Sequence, residues 1–165
     1  MPVCAVYPGS FDPVTYGHLD IIRRASRIAG ADGRLIVAVL DNSEKKPLFS
    51  AGERQDMLAG LTREFPNVEV ASFSGLLTDF ARENGVNLII RGVRSSADYE
   101  YESVIAKVYG GLYGGAETVF LPADGRYAYL SSSVVREVAG KNGDVAHMTP
   151  QSVIGMLREK FREGK

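Results

Sequence analysis

The sequence predicts an α/β fold: a single-domain, Rossmann-like, five-stranded parallel sheet in the order 3-2-1-4-5, with helices on both faces. Short β-branched runs alternate with amphipathic stretches along the chain, the pattern that builds a parallel sheet covered on both sides. No internal repeat or low-complexity linker interrupts the alternation. The 165 residues, 45% hydrophobic and 24% charged, suffice to bury a core without disulfide or metal staples, so residues 1–165 read as one domain.

Val3–Tyr7 reads as the first buried strand, followed by a Pro- and Gly-containing loop and a helix from about Gly17 to Ile28, with Gly30 just past its end. Leu35–Leu40 is the second strand. Ser50-Ala51-Gly52-Glu53 has capping-box spacing and opens a helix reaching about Thr62. Val68–Ser72 is the third strand, and Leu76–Asn84 a helix closed by Gly85. Leu88–Ile90 is the fourth strand, leading through Arg91-Gly92-Val93-Arg94 into a helix from about Ser96. Thr118–Leu121 is the fifth strand, and Ser131–Ala139 a short helix closed by Gly140. Thr149-Pro150 starts the last helix, about 150–163, with a cap and with Pro at its first position.

Bulk properties exclude several classes. A formal net charge of −1 offers no broad basic field for a nucleic-acid backbone, so an anionic ligand must be held by a few placed groups. No apolar run approaches the ~20 residues that span a bilayer, and the N-terminus lacks a charged-then-apolar signal pattern. The single cysteine, Cys4, reads as a small core residue and suits a reducing compartment, so a cytoplasmic location is expected. One Cys and two His do not make a zinc site, and no protein metal ligand is assigned.

In open parallel sheets, ligands sit beyond the carboxyl ends of the strands where the strand order reverses. With order 3-2-1-4-5 the reversal lies between strands 1 and 4, so the loops after Tyr7 and Ile90 should carry the chemistry. The first is Tyr7-Pro8-Gly9-Ser10-Phe11-Asp12-Pro13-Val14-Thr15-Tyr16-Gly17-His18. It places the His18 imidazole in the first turn of a helix, where N–H groups and the macrodipole favour anions. A hydrogen bond donated by His18, neutral or protonated, suits a phosphate oxygen gaining charge in a transition state. Ser10 adds a hydroxyl able to bridge two phosphates. In the second loop, Arg91 and Arg94 flank Gly92, which favours phosphate clamping over a salt-bridged surface. Tyr127-Ala128-Tyr129-Leu130-Ser131-Ser132-Ser133 precedes a short helix; hydroxyls and free N–H groups there make a triphosphate cradle.

Gly9-x-Phe11-Asp12-Pro13-x-x-x-Gly17-His18 resembles the signature of the nucleotidyltransferase superfamily that shares an HxGH-type phosphate site with class I aminoacyl-tRNA synthetases, with Thr15 in place of the first His. The later motifs resemble those of the bacterial phosphopantetheine adenylyltransferases: Lys45-Lys46-Pro47, Arg91-Gly92-Val93-Arg94 with Asp98-x-Glu100-x-Glu102, and Leu130-Ser131-Ser132-Ser133. The resemblance implies adenylyl transfer from ATP to 4′-phosphopantetheine, giving dephospho-coenzyme A and pyrophosphate. It implies Mg²⁺ held mainly through ATP phosphates and a homohexamer. It assigns His18 and Lys45 to catalysis, with Lys46 the rival of Lys45. It places Ser10, Lys45, Leu77, Arg91 and Glu137 on the acceptor, Leu77 being equally well a core residue. The nucleotide side receives Ser10, Phe11, His18, Gly92, Val93, Arg94, Glu102 and Tyr127, Ala128, Tyr129, Leu130, Ser131, Ser132 and Ser133.

One segment departs from the resemblance. Lys107–Gly115 replaces a Met-Asn-Arg-x-Leu stretch, and its four glycines disfavour a helix by about 1 kcal/mol each. A sister nucleotidyltransferase taking nicotinamide mononucleotide or glycerol 3-phosphate would keep the Gly-His and Ser-rich motifs; Lys45 and the Arg91–Glu102 segment argue against it. A non-catalytic adenine-nucleotide-binding module would be expected to carry degenerate motifs, whereas His18, both arginines and all three serines are intact.

Overall fold

The computed structural model describes residues 1–42 and 46–163. Strands β1 (Cys4–Gly9), β2 (Arg34–Leu40), β3 (Val68–Phe73), β4 (Leu88–Val93) and β5 (Glu117–Pro122) form one sheet in the order β3-β2-β1-β4-β5, with every pairing parallel. The order reverses between β1 and β4, as the alternation predicts. The helices are α1 (Tyr16–Ala29), α2 (Ala51–Leu61), α3 (Leu77–Glu83), α4 (Ser96–Leu112), α5 (Ser132–Gly140) and α6 (Gln151–Glu163). Among the described residues, no helix is long and apolar enough to cross a membrane.

The central strands are apolar in continuous runs because both faces of the sheet are covered. Ala5, Tyr7, Leu35, Val37, Val39 and Ile90 face a core shared with α1, α2, α5 and α6. Their neighbours Val6, Ile36, Ala38 and Ile89 face the other way, against Leu77 and Ala81 of α3 and Val86. Cys4 lies at the margin of that second core, its Sγ taking a hydrogen bond from Arg34 Nε at 3.2 Å, so it is only partly buried.

Three local expectations are corrected. First, α4 continues through Gly110 and Gly111 to Leu112. Helix propensity is a weak prior there, because the Tyr113 N–H bonds the Tyr109 carbonyl at 2.8 Å and the Tyr113 hydroxyl anchors to the Val86 carbonyl at 3.1 Å. Second, Gly140 is the last residue of α5 rather than its stop, and the left-handed turn falls at Asn142 (φ 58°). Third, the Thr149 hydroxyl does not cap α6, which begins at Gln151; it is buried and donates to the Val14 carbonyl, fastening the loop after β1.

That loop has a second anchor in Arg54, whose residue is only 2% exposed. Its Nε donates to the Phe49 and Ser50 carbonyls at 3.0 and 3.3 Å, and its Nη1 to the Ser10 and Leu40 carbonyls at 2.8 and 2.9 Å. One guanidinium thus joins the end of β2, the loop after β1 and the start of α2. Arg54→Met removes these donors while keeping much of the volume, and unfastens four carbonyls on three segments, that of the buried Phe49 among them. The expected cost is about 3–5 kcal/mol in unfolding free energy, read from urea denaturation. An unchanged midpoint would contradict this role.

Candidate active site

The site grows out of the start of α1. Thr15 is the N-cap: its Oγ1 accepts from the His18 N–H at 3.3 Å, and the His18 Nδ1 accepts from the Thr15 N–H at 3.0 Å. This is a capping box with imidazole where Glu or Gln usually stands. A backbone amide can only donate, so Nδ1 must be the bare nitrogen and the proton sits on Nε2. Burial, with the nearby Arg94 charge second, lowers the His18 pKa to about 4. His18 is therefore a neutral donor through Nε2–H at neutral pH.

Aromatic packing holds the ring from below. Phe11 is fully buried at φ 50°, edge-on to His18 with centroids 5.0 Å apart and edge-on to Tyr7 at 5.5 Å. Gly9 is required above it, since a Cβ there would lie 2.9 Å from the Phe11 ring.

Two more segments close on this corner. At the start of α5, Ser131 is the N-cap, accepting from the Val134 N–H at 3.2 Å. The N–H groups of Ser132 and Ser133 belong to the first turn, whose donors have no partner within the helix. The Ser132 hydroxyl donates to the Pro13 carbonyl at 2.8 Å, tying this turn to the loop after β1. Arg136, one turn along α5, donates to the Asp12 carbonyl. The buried Asp12 carboxylate accepts the Leu48 and Phe49 N–H groups at 2.9 and 2.8 Å. After β4, Arg94 donates to the Leu130 carbonyl at 2.8 Å and pairs with Asp98 at 3.5 Å. Arg91 lies against α4, its Nε and Nη2 each 2.6 Å from a Glu102 oxygen. Glu102 is the one residue of α4 that is buried.

The result is a cleft of about 340 Å³ at the β1–β4 reversal. It gathers Ser10, His18, Arg91, Gly92, Arg94, Glu102, Tyr127, Leu130, Ser131, Ser132 and Ser133 from the sequence expectations. A neighbouring chamber of about 310 Å³ shares Ser10, Ser132 and Ser133 and adds Lys46 and Arg136. A larger hollow of about 850 Å³ lies away from this corner, between α5 and α6; Arg158 and Arg162 line it, but among the described residues no serine, threonine or tyrosine does.

Several expected residues stand apart from the cleft. Phe11 and Val93 are buried behind its wall, and Leu77 packs in the second core. Ala128 and Tyr129 are outside the lining, with Tyr129 55% exposed. Glu137 is exposed on α5 and pairs with Lys141 at 2.8 Å. Lys45 lies outside the described residues. The sequence reading missed the Thr15–His18 cap, Arg54, and the Asp12–Arg136 link. The spacing Thr15-x-x-His18 was the available signal for the first; the other two are made largely to backbone atoms far along the chain.

A neutral donor, two guanidinium groups and a serine-rich helix start converging on one cleft define the site of a nucleotidyltransferase. The model of the cytidylyltransferase-like family matches residues 6–138. Solved structures share the fold: a putative nicotinate-nucleotide adenylyltransferase from Vibrio parahaemolyticus (TM-score 0.66, 13% identity, 98% of this chain and 95% of that one) and the Plasmodium falciparum nicotinic acid mononucleotide adenylyltransferase complexed with NaAD (TM-score 0.64, 14% identity, 96% of each). Far closer in sequence are curated phosphopantetheine adenylyltransferases from Dictyoglomus thermophilum, 50% identical over 95% of this chain and 94% of that protein, and from Alkaliphilus metalliredigens, 46% identical over 94% and 97%. The chain belongs to the phosphopantetheine adenylyltransferase family.

The cap makes a pH prediction. Between about pH 4 and 6.5 the unfolded chain binds a proton at His18 that the native state does not. The stability contributed by the neutral ring is therefore complete above pH 6.5 and declines as pH falls through this window. NMR titration of the His18 ring protons should give a midpoint near 4. A midpoint near the unperturbed value of about 6.5 would contradict the cap.

Proposed function

We propose that this chain catalyses reversible transfer of the adenylyl group of ATP to 4′-phosphopantetheine, giving dephospho-coenzyme A and pyrophosphate. The observation that carries the chemistry is the capped His18 ring opening on the same cleft as the Ser131–Ser133 turn and the two arginines. The choice of acceptor rests on the named relatives, which match this chain over nearly its whole length.

In this reading a phosphate oxygen of the acceptor attacks the α-phosphorus of ATP in line, and the bond from that phosphorus to the bridging oxygen of the β-phosphate breaks. A phosphate is already an anion, so no general base is needed. His18 is suited to none, since Nδ1 is occupied and Nε2 carries the hydrogen. Its part is to donate to an oxygen of the pentavalent centre as charge builds there, alongside Lys45. The start of α5, with its N–H groups and the serine hydroxyls, orients the leaving pyrophosphate. Arg91, set by Glu102, takes the acceptor phosphate, and Arg94 the nucleotide.

Mg²⁺ fits this site as an ion carried by the phosphates, where it would neutralise negative charge on the triphosphate. The cleft carboxylates Glu102 and Asp98 are engaged by Arg91 and Arg94. Among the described residues, no three His, Cys, Asp or Glu side chains cluster to hold a metal. Ser10, Ser132 and Ser133 would be the residues to hold such an ion, as the small protein share usual for Mg²⁺.

We also infer a cytoplasmic homo-oligomer, a hexamer by family resemblance. Its support is α4, whose outward face carries exposed Tyr101, Val104, Val108 and Leu112 at helical spacing. Val104→Lys with Val108→Lys should lower the mass measured by sedimentation; an unchanged mass would remove α4 from the interface.

The activity is tested by pyrophosphate release with ATP and a panel of acceptors. Turnover with 4′-phosphopantetheine and none with nicotinamide mononucleotide or glycerol 3-phosphate is the expected result. Turnover with either of the other acceptors alone would assign a sister enzyme, and ATP binding without any turnover a nucleotide-binding module.

A further inference from the structure

The mechanism above has no use for the Tyr7 hydroxyl, which belongs to the wall of the cleft. Tyr7, on β1, is only 7% exposed, and its ring is gripped by Phe11 edge-on at 5.5 Å. It also lines the cleft. The hydroxyl emerges beside Gly92, where an added Cβ would lie 3.6 Å from it and 3.3 Å from Ile21. Glycine at position 92 thus leaves room next to the phenol oxygen. Among the described residues this hydroxyl has no hydrogen-bond partner. The ring is buried but its oxygen opens on the cleft, because among the described residues no buried side-chain oxygen or nitrogen lacks a partner; a bound ligand can therefore take the place of water on this hydroxyl. Three other polar side chains at this corner already have protein partners: Arg91 has Glu102, Arg94 has Asp98 and the Leu130 carbonyl, and Ser132 has the Pro13 carbonyl.

We propose that Tyr7 is a substrate-contacting residue whose hydroxyl donates a hydrogen bond to a phosphate oxygen of the bound nucleotide, an inference that rests on the adenylyl-transfer reading. The sheet decides between the two substrates. Tyr7 points to the α1 face, with Phe11, Ile21 and, through Phe11, His18. Arg91, the group assigned to the acceptor phosphate, is directed to the opposite face by its pairing with Glu102 of α4. A donor on the α1 side, next to Gly92, serves the nucleotide.

Chemistry favours a phenol in this place. Burial pushes its pKa well up, with Arg91 and Arg94 opposing the shift only in part, so the group stays protonated and remains a donor. An uncharged donor adds a contact to the triphosphate without adding another cation to a wall that already holds two.

Tyr7→Phe is a clean test, because the hydroxyl has no protein bond to lose and the ring contacts persist. Binding of ATP alone and of 4′-phosphopantetheine alone would be measured by calorimetry, with kcat/KM and the thermal midpoint alongside. A hydrogen bond to an ionised oxygen predicts ATP binding and kcat/KM for ATP weakened roughly 10- to 100-fold. Binding of 4′-phosphopantetheine and the melting temperature should stay unchanged. Wild-type ATP binding, a loss confined to the acceptor, or a lowered melting temperature accounting for the loss would each overturn the proposal. If the wild-type protein turned over no acceptor, the adenylyl-transfer reading would fail, while the ATP calorimetry would still report on Tyr7.

Discussion

Everything at this site depends on the reciprocal pair of hydrogen bonds between Thr15 and His18 at the start of α1. The same bonds that end the helix's unmet donors also select the tautomer of the ring. With Nδ1 committed to a backbone amide and the ring half sunk against Phe11, the imidazole has one proton, on Nε2. In the proposed mechanism, helix capping and transition-state donation are thus a single arrangement. Its chemical consequence is a donor that needs no protonation from solvent and carries no charge before the reaction begins. Its energetic consequence is preorganisation, because the ring is oriented by the fold rather than by the substrate.

A donor fixed on one segment is useful only if the other segments are fixed relative to it. That is the work of side chains bonded to backbone atoms across large sequence distances. Arg54 joins the β2 end, Ser10 and Phe49; Asp12 holds Leu48 and Phe49; Arg136 reaches back to Asp12; Ser132 holds Pro13; Thr149 holds Val14. The loop after β1 is therefore tied to α2, α5 and the entry to α6. The arginines lining the cleft are treated differently. Arg91 and Arg94 are paired with carboxylates on α4, which aims their planar forks and moderates the positive charge before an anion arrives.

The fold was legible because its signals are local. Alternating apolar runs mark the strands, Ser50-Ala51-Gly52-Glu53 marks the start of α2, and the strand order locates the ligand corner. Within the cleft, His18, Arg91, Arg94 and the serines were readable as chemistry-bearing types at element ends. What stayed hidden was partnership across the chain. Arg54 looks like an ordinary helix-surface arginine in sequence, since its partners are carbonyls, which leave no residue-type trace. Glu102 reads as one of several acids on α4, and nothing in the spacing shows that it alone turns inward to Arg91. The glycines at 110 and 111 misled for the opposite reason, since a local preference of about 1 kcal/mol each yields to an anchored helix end. Tyr7 resembles any aromatic in a buried strand, and only the opening of its hydroxyl on the cleft beside Gly92 distinguishes it.

The central claim is that the capped His18 acts on the transition state rather than on the fold or on ground-state binding. The direct measurement is the single-turnover rate of adenylyl transfer by His18→Ala under saturating ATP and 4′-phosphopantetheine, with both dissociation constants determined separately. The account predicts a rate lower by a factor of ~10²–10³, with a folded protein and affinities within a few-fold of wild type. A wild-type rate, or a loss traced entirely to weakened substrate binding, would contradict it.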